Sequence, residues 1–123
     1  MRRDEQFLSE IATCWREHNR REQVGAEARR QSARGEAARL ARAFAARDPE
    51  LRRVYLFGSC LDGRRFTPTS DIDLAIDGGD LLSCVRIALK SSYPVDVIDL
   101  SEAGESLRGR ILAHGELLYA KEH

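Results

Sequence analysis

The chain has 123 residues, with 20 Lys and Arg set against 20 Asp and Glu, and is 42% hydrophobic and 33% charged. That length holds one small domain rather than two, and the apolar fraction is too high for a wholly disordered segment. Apolar runs such as Val54 to Phe57 are far shorter than the roughly 20 residues that cross a bilayer, so no membrane span is expected.

The chain starts Met1-Arg2-Arg3-Asp4-Glu5-Gln6, without the apolar segment and small-residue cleavage site of a secretory signal, and the expected location is the cytoplasm. Cys14, Cys60 and Cys84 are odd in number and widely spaced, which gives neither a disulfide framework nor a metal knuckle. All three are expected to be buried small hydrophobes. Charge is split along the chain: residues 1–53 hold 13 Arg and 9 acids, and residues 54–123 hold 7 Lys and Arg and 11 acids. The arginines of the first part alternate with Glu at helical spacing, the pattern of a solvated helix, so nucleic-acid binding is not expected.

Phe7, Leu8, Ile11, Cys14 and Trp15 recur at three- and four-residue steps and predict an amphipathic helix over residues 3–18. Residues 20–35 are rich in helix formers and poor in large apolar residues, which reads as exposed helix or linker. Ala37, Leu40, Ala41 and Phe44 predict a second helix over residues 36–47, stopped at Asp48-Pro49. Val54-Tyr55-Leu56-Phe57 and Asp71-Ile72-Asp73-Leu74-Ala75-Ile76 read as strands, closed by Gly58-Ser59 and Gly78-Gly79. Asp80 is placed to cap a helix carrying Leu81, Leu82, Val85 and Leu89. A third strand follows as Val95-Asp96-Val97-Ile98-Asp99-Leu100. Ser101 is the expected cap of a last helix, with Leu107 and Ile111, ended by Gly115.

The chemistry concentrates in the second part. Asp71 and Asp73, two apart on a strand, leave the same face with Cα atoms about 6.6 Å apart, while Ile72, Leu74 and Ile76 fill the other side. Two such carboxylates converge on shared cations, and Mg²⁺ suits an all-oxygen ligand set completed by waters and phosphates; the alternative is a solvated sheet edge. Gly58 permits close approach of backbone to a ligand, and Ser59 adds a hydroxyl and an N–H, an arrangement that cradles phosphate where a helical turn begins. Arg64 in the following loop is a candidate triphosphate contact, against the reading of Arg64 and Arg65 as a solvated pair.

Taken in order, Leu56-Phe57-Gly58-Ser59, Ser70-Asp71-Ile72-Asp73-Leu74 and Val95-Asp96-Val97-Ile98-Asp99-Leu100 resemble the minimal nucleotidyltransferase family of the DNA polymerase beta superfamily, over about residues 37–120. The stretch from Ile111 to Tyr119 looks like that family's closing helix and short hydrophobic end. The resemblance implies an α/β (α+β) nucleotidyltransferase fold, a small mixed sheet flanked by helices, here with a helical extension over residues 1–35 and the domain proper over residues 36–123. It implies Mg²⁺ held by Asp71 and Asp73, a nucleoside triphosphate such as ATP at Gly58-Ser59, and Asp96 as the third carboxylate, binding metal and helping to deprotonate a hydroxyl. In-line nucleotidyl transfer needs one cation at the attacking oxygen and one at the leaving pyrophosphate, so three carboxylates are a sensible minimum. Asp99 competes for the third role but points to the face of Val95 and Val97. The gap between Ser59 and Asp71 is one residue longer than in most of the family and holds Thr67-Pro68-Thr69.

Members this short look like one half of a two-component system with a HEPN-type toxin. The expected function is transfer of AMP from ATP to a hydroxyl of that partner. The alternative is a non-enzymatic antitoxin or scaffold that occludes its partner. Arg108 and His114 have the Arg-x5-His spacing of HEPN ribonucleases, but they fall in the closing helix that the transferase pattern already explains. Phe7, Ile11 and Trp15 make residues 1–35 an expected association segment, for the partner or for a second copy of the chain.

Overall fold

The computed structural model describes residues 2–60, 66–67 and 70–122, with positions 2–8, 19, 22 and 23 described as backbone only. Helix α1 spans Arg2–Arg47, 46 residues without a break, about 69 Å of helix. Two helices and an intervening segment of uncertain form were expected here. No proline interrupts residues 20–35, and one-turn contacts link Glu27 to Arg30 (2.9 Å) and to Gln31 (3.0 Å), and Glu36 to Arg39 (2.5 Å). Gly25 and Gly35 weaken a helix by about 1 kcal/mol each and do not stop one.

Burial starts in the middle of α1. Every described side chain from position 9 to 21 is exposed, whereas Ala26, Ala33, Ala37, Leu40, Ala41 and Phe44 are buried. The stripe therefore continues through residues 20–35 as alanines, whose small side chains bring the helix backbone close to what it covers. Cys14, expected to be buried, is exposed on the uncovered stretch, while Cys60 and Cys84 are buried. The helix stops where Asp48 turns inward, 8% exposed and the one buried charged side chain among the described residues. Its carboxylate accepts from the backbone N–H of Glu50 (3.0 Å) and of Asp80 (2.6 Å), tying the end of α1 to the start of the next helix.

Strand β1 (Leu51–Phe57) pairs antiparallel with β2 (Ile72–Gly78), with Val54 opposite Ile76 and Leu56 opposite Leu74. β3 (Val95–Asp99) lies parallel to β2, reached through helix α2 (Leu81–Ala88). As expected, the Asp80 carboxylate caps α2, accepting from the Leu82 N–H. An unexpected fourth strand, β4 (Glu116–Ala120), pairs antiparallel with β1 and gives the sheet order β3-β2-β1-β4. Arg34 of α1 holds Glu116 at 2.6 Å. Helix α3 (Glu105–His114) ends at Gly115, but Ser101 does not cap it: Gly104 stands at the cap without a side-chain bond. Ser101 belongs instead to a 3₁₀ turn over Leu100–Glu102, capped by Asp99 through the Ser101 N–H.

The two sheet faces are covered unequally. One carries the main core, with Leu40 and Phe44 of α1, Cys84 of α2, and Val54, Leu56, Ile72, Leu74, Ile76 and Val97 of the sheet. The other carries a smaller cluster, Ala75, Leu100 and Ile111 with Tyr55, Phe57, Ile98 and Leu107, under α3. Among the described residues, this smaller cover leaves the end of the sheet where β2 begins only partly covered on the α3 side. No helix among the described residues is long and apolar enough to cross a membrane.

Candidate active site

The side chains singled out in the sequence meet at that end. β2 begins at Ile72, so Asp71 enters it from the preceding turn and Asp73 lies one residue inside. In the parallel ladder Asp73 is directly opposite Asp96, and in the antiparallel ladder it is opposite Phe57, so all three side chains leave one face of the sheet. Asp71 and Asp96 are exposed and Asp73 is partly buried. Asp99 is opposite Ile76 and faces the main core side, where its carboxylate accepts from the Ser101 N–H (3.0 Å) and hydroxyl (2.7 Å). Its position is explained by a turn.

Burial first, and then the charges of Asp96 and Asp71, push the Asp73 carboxyl up to about 6. Among the described residues, both charges that shift it are negative. Among the described residues, no three carboxylate, imidazole or thiol groups are closed into a preformed metal-ligating set. Asp71 and Asp96 raise the cost of ionising Asp73 without completing such a set.

Gly58 and Ser59 open a 3₁₀ turn, Gly58–Cys60, directly after β1. Gly58 has φ of 80°, and a Cβ there would lie 2.1 Å from Asp73 Oδ2. Glycine was expected here for the approach of a ligand; in the structure, the group that comes closest is the Asp73 carboxylate. Ser59 is partly buried and its hydroxyl makes no hydrogen bond with a described residue. Burial, and then the Asp73 charge, raise the Cys60 thiol to about 11, so it stays protonated. Arg64 and Arg65 lie outside the described residues. Beyond them Phe66 is 2% exposed and fixes the return of the chain, a position the sequence reading passed over. A turn in which Ser70 N–H donates to Thr67 O (3.0 Å) then delivers Asp71. Arg108 donates to the backbone carbonyls of Leu100 (3.0 Å) and Ser101 (2.6 Å), so the Arg-x5-His spacing reflects a backbone clamp.

A glycine turn after the first strand, two carboxylates at the start of the second and one on a parallel third define the class of a nucleotidyl-transferring fold. Residues 41–123 match the family model described as polymerase beta, nucleotidyltransferase, and the chain belongs to that family. Among solved structures, a chain of a toxin–antitoxin with AMP-PNP is 27% identical, with a TM-score of 0.53, over 68% of this chain and 70% of that one. A chain of the complex of tri-AMPylated Shewanella oneidensis HEPN toxin with MNT antitoxin is 25% identical, with a TM-score of 0.50, over 75% and 73%. A mutant of the MntA-HpeT toxin–antitoxin shares the fold at 24% identity and a TM-score of 0.53, over 72% and 73%. No curated protein matches the chain.

Proposed function

We propose that the chain is a Mg²⁺-dependent adenylyltransferase that moves AMP from ATP onto a Tyr, Ser or Thr hydroxyl of a HEPN-type toxin. The observation that carries this reading is the register that sets Asp73 beside Asp96 on one face, next to Asp71 and against the Gly58 turn. The donor set fits a hard divalent cation: it is all oxygen, and the charges acting on Asp73 are anionic. Asp71, Asp73 and Asp96 would hold the metal, which supplies charge neutralisation at the phosphates and a more acidic acceptor hydroxyl. The Gly58–Ser59 turn takes the triphosphate, with Arg64 as a further contact.

β3 is an edge strand, so an acceptor reaches the exposed Asp96 from beyond the sheet. As the acceptor oxygen bonds to the α-phosphorus, the bond to the bridging oxygen breaks, pyrophosphate leaves, and Asp96 takes the hydroxyl proton. A protein partner is favoured as acceptor because a domain this small has little room to enclose a substrate pocket. The solved relatives, one with AMP-PNP and one with an AMPylated HEPN toxin, support the nucleotide and the partner. We propose residues 1–35 as the segment that meets this partner, supported by the exposed Ile11, Trp15 and Val24.

The test is intact-mass analysis of the HEPN-type partner after incubation with the chain, ATP and Mg²⁺. Added adenylyl groups are expected with the wild type and none with Asp73→Asn. Neutralisation of the partner without a mass change would favour occlusion instead.

A further inference from the structure

On the face that carries Asp73, α3 lies over the end of β1 and leaves a cleft of about 200 Å³, lined by Phe57, Gly58, Leu107, Arg110, Ile111 and His114. Phe57 is the ladder neighbour of Asp73 and Gly58 lies against its carboxylate, so the cleft opens directly beside the aspartates. Its floor is apolar. Its rim carries Arg110 and His114, four residues apart and therefore on one face of α3. Arg110 makes no hydrogen bond or ion pair with any described residue, whereas the neighbouring Arg108 is consumed by two backbone carbonyls.

A guanidinium that no described residue pairs, beside a cluster whose described charges are anionic, calls for an anion that spans both. A nucleoside triphosphate has that shape: its α-phosphate belongs near the carboxylates and their metal, and its remaining phosphates extend past the Gly58 turn. Asp71, Asp73 and Asp96 would hold a metal whose charge offsets only the end of the polyphosphate near them, leaving charge on the rest. A guanidinium matches two phosphate oxygens at once through its planar fork. Resting on the adenylyltransferase reading, we infer that Arg110, with His114 beside it, binds the β- and γ-phosphates and holds the pyrophosphate as the bond to the α-phosphorus breaks.

The test is calorimetric titration of ATP, AMP and inorganic tripolyphosphate, with Mg²⁺, into the full chain and its Arg110→Gln, His114→Gln and Arg86→Gln variants. Arg110→Gln should weaken ATP and tripolyphosphate by about tenfold or more and leave AMP unchanged, as expected for loss of a charge-assisted contact. His114→Gln should act in the same direction and less strongly. Arg86 is exposed on α2, across the sheet, and Arg86→Gln should change none of the three, which separates a local contact from a loss of net charge. Arg110 is exposed, so thermal melts should show the variant folded as the wild type is. Equal losses for AMP and ATP, or ATP bound alike by wild type and Arg110→Gln, would overturn the inference and leave the adenylyltransferase reading standing. A wild type that binds neither ATP nor tripolyphosphate would remove both.

Discussion

Replacing Asp73 by Asn should make the metal-free protein more stable at neutral pH while ending nucleotidyl transfer. Asp73 is partly buried beside two other aspartates, and its carboxyl is pushed from 3.8 to about 6. The folded state thus binds this proton more tightly than the unfolded state does. Below about pH 4 both states are protonated and the site costs nothing; as pH rises from about 4 to about 6, the folded chain must ionise Asp73 in place and stability falls, levelling off above. A shift of about two units corresponds to about 3 kcal/mol, and partial solvent screening reduces it to about 1 to 2 kcal/mol. For a domain of this size that is about 4 to 8 °C in melting temperature. The assay is thermal unfolding by circular dichroism with EDTA, at pH 4.5 and 7.5, for wild type and Asp73→Asn. The variant should melt higher at pH 7.5, with the gap narrowing at pH 4.5, and added Mg²⁺ should stabilise the wild type alone. A variant that melts lower than wild type at pH 7.5, or a gap independent of pH, would refute the electrostatic account.

Asp96→Asn should abolish transfer without loss of stability, whereas Asp99→Ala should keep transfer and cost about 1 kcal/mol, the value of a turn cap; paired activity and urea-unfolding measurements distinguish them. Gly58→Ala should cost about 2 kcal/mol or more, because it combines a φ of 80° with a Cβ 2.1 Å from Asp73 Oδ2, and Mg²⁺ binding by calorimetry should fall with it. Asp48→Ala leaves two backbone N–H groups near the core without their acceptor, and should cost about 2 to 4 kcal/mol in the same unfolding assay. Ile11→Glu with Trp15→Arg should leave the melting temperature unchanged and reduce association with the partner in light scattering, since both side chains are exposed; this pair is a cleaner probe than deleting residues 1–35, which would also remove the buried Ala26 and Ala33.

The strand residues of the site could be read from the sequence because a period of two leaves little freedom. Once Ile72, Leu74 and Ile76 are assigned to the core, Asp71 and Asp73 must leave by the other face, and the same logic separates Asp96 from Asp99. What escaped the reading depends on distant neighbours. Ala26 and Ala33 carry too little apolar area to mark a buried face, and only the folded chain shows that they are buried. Leu117, Leu118 and Tyr119 are too short a run to read as a strand unless β1 is known to lie open beside them. Ser101 looked like a helix cap because the turn capped by Asp99 has no signature beyond a short polar stretch. Gly58 was recognised as special for its freedom of backbone. That its missing side chain makes room for Asp73 follows only from the pairing of β1 with β2.

The unbroken course of α1 has a kinetic and thermodynamic consequence for any protein that meets its exposed part. Helix formation is costly to start and cheap to extend, and an isolated segment of the length of residues 9–21 is marginal in water. Here the starting turns are supplied by Ala33, Ala37, Leu40 and Phe44, which are fixed on the sheet. The stretch carrying Ile11 and Trp15 is grown from that anchored end, so a partner encounters a surface whose backbone order is already established. Docking then costs chiefly the freezing of side chains rather than the folding of an arm, which favours fast capture and tight binding from a small contact area.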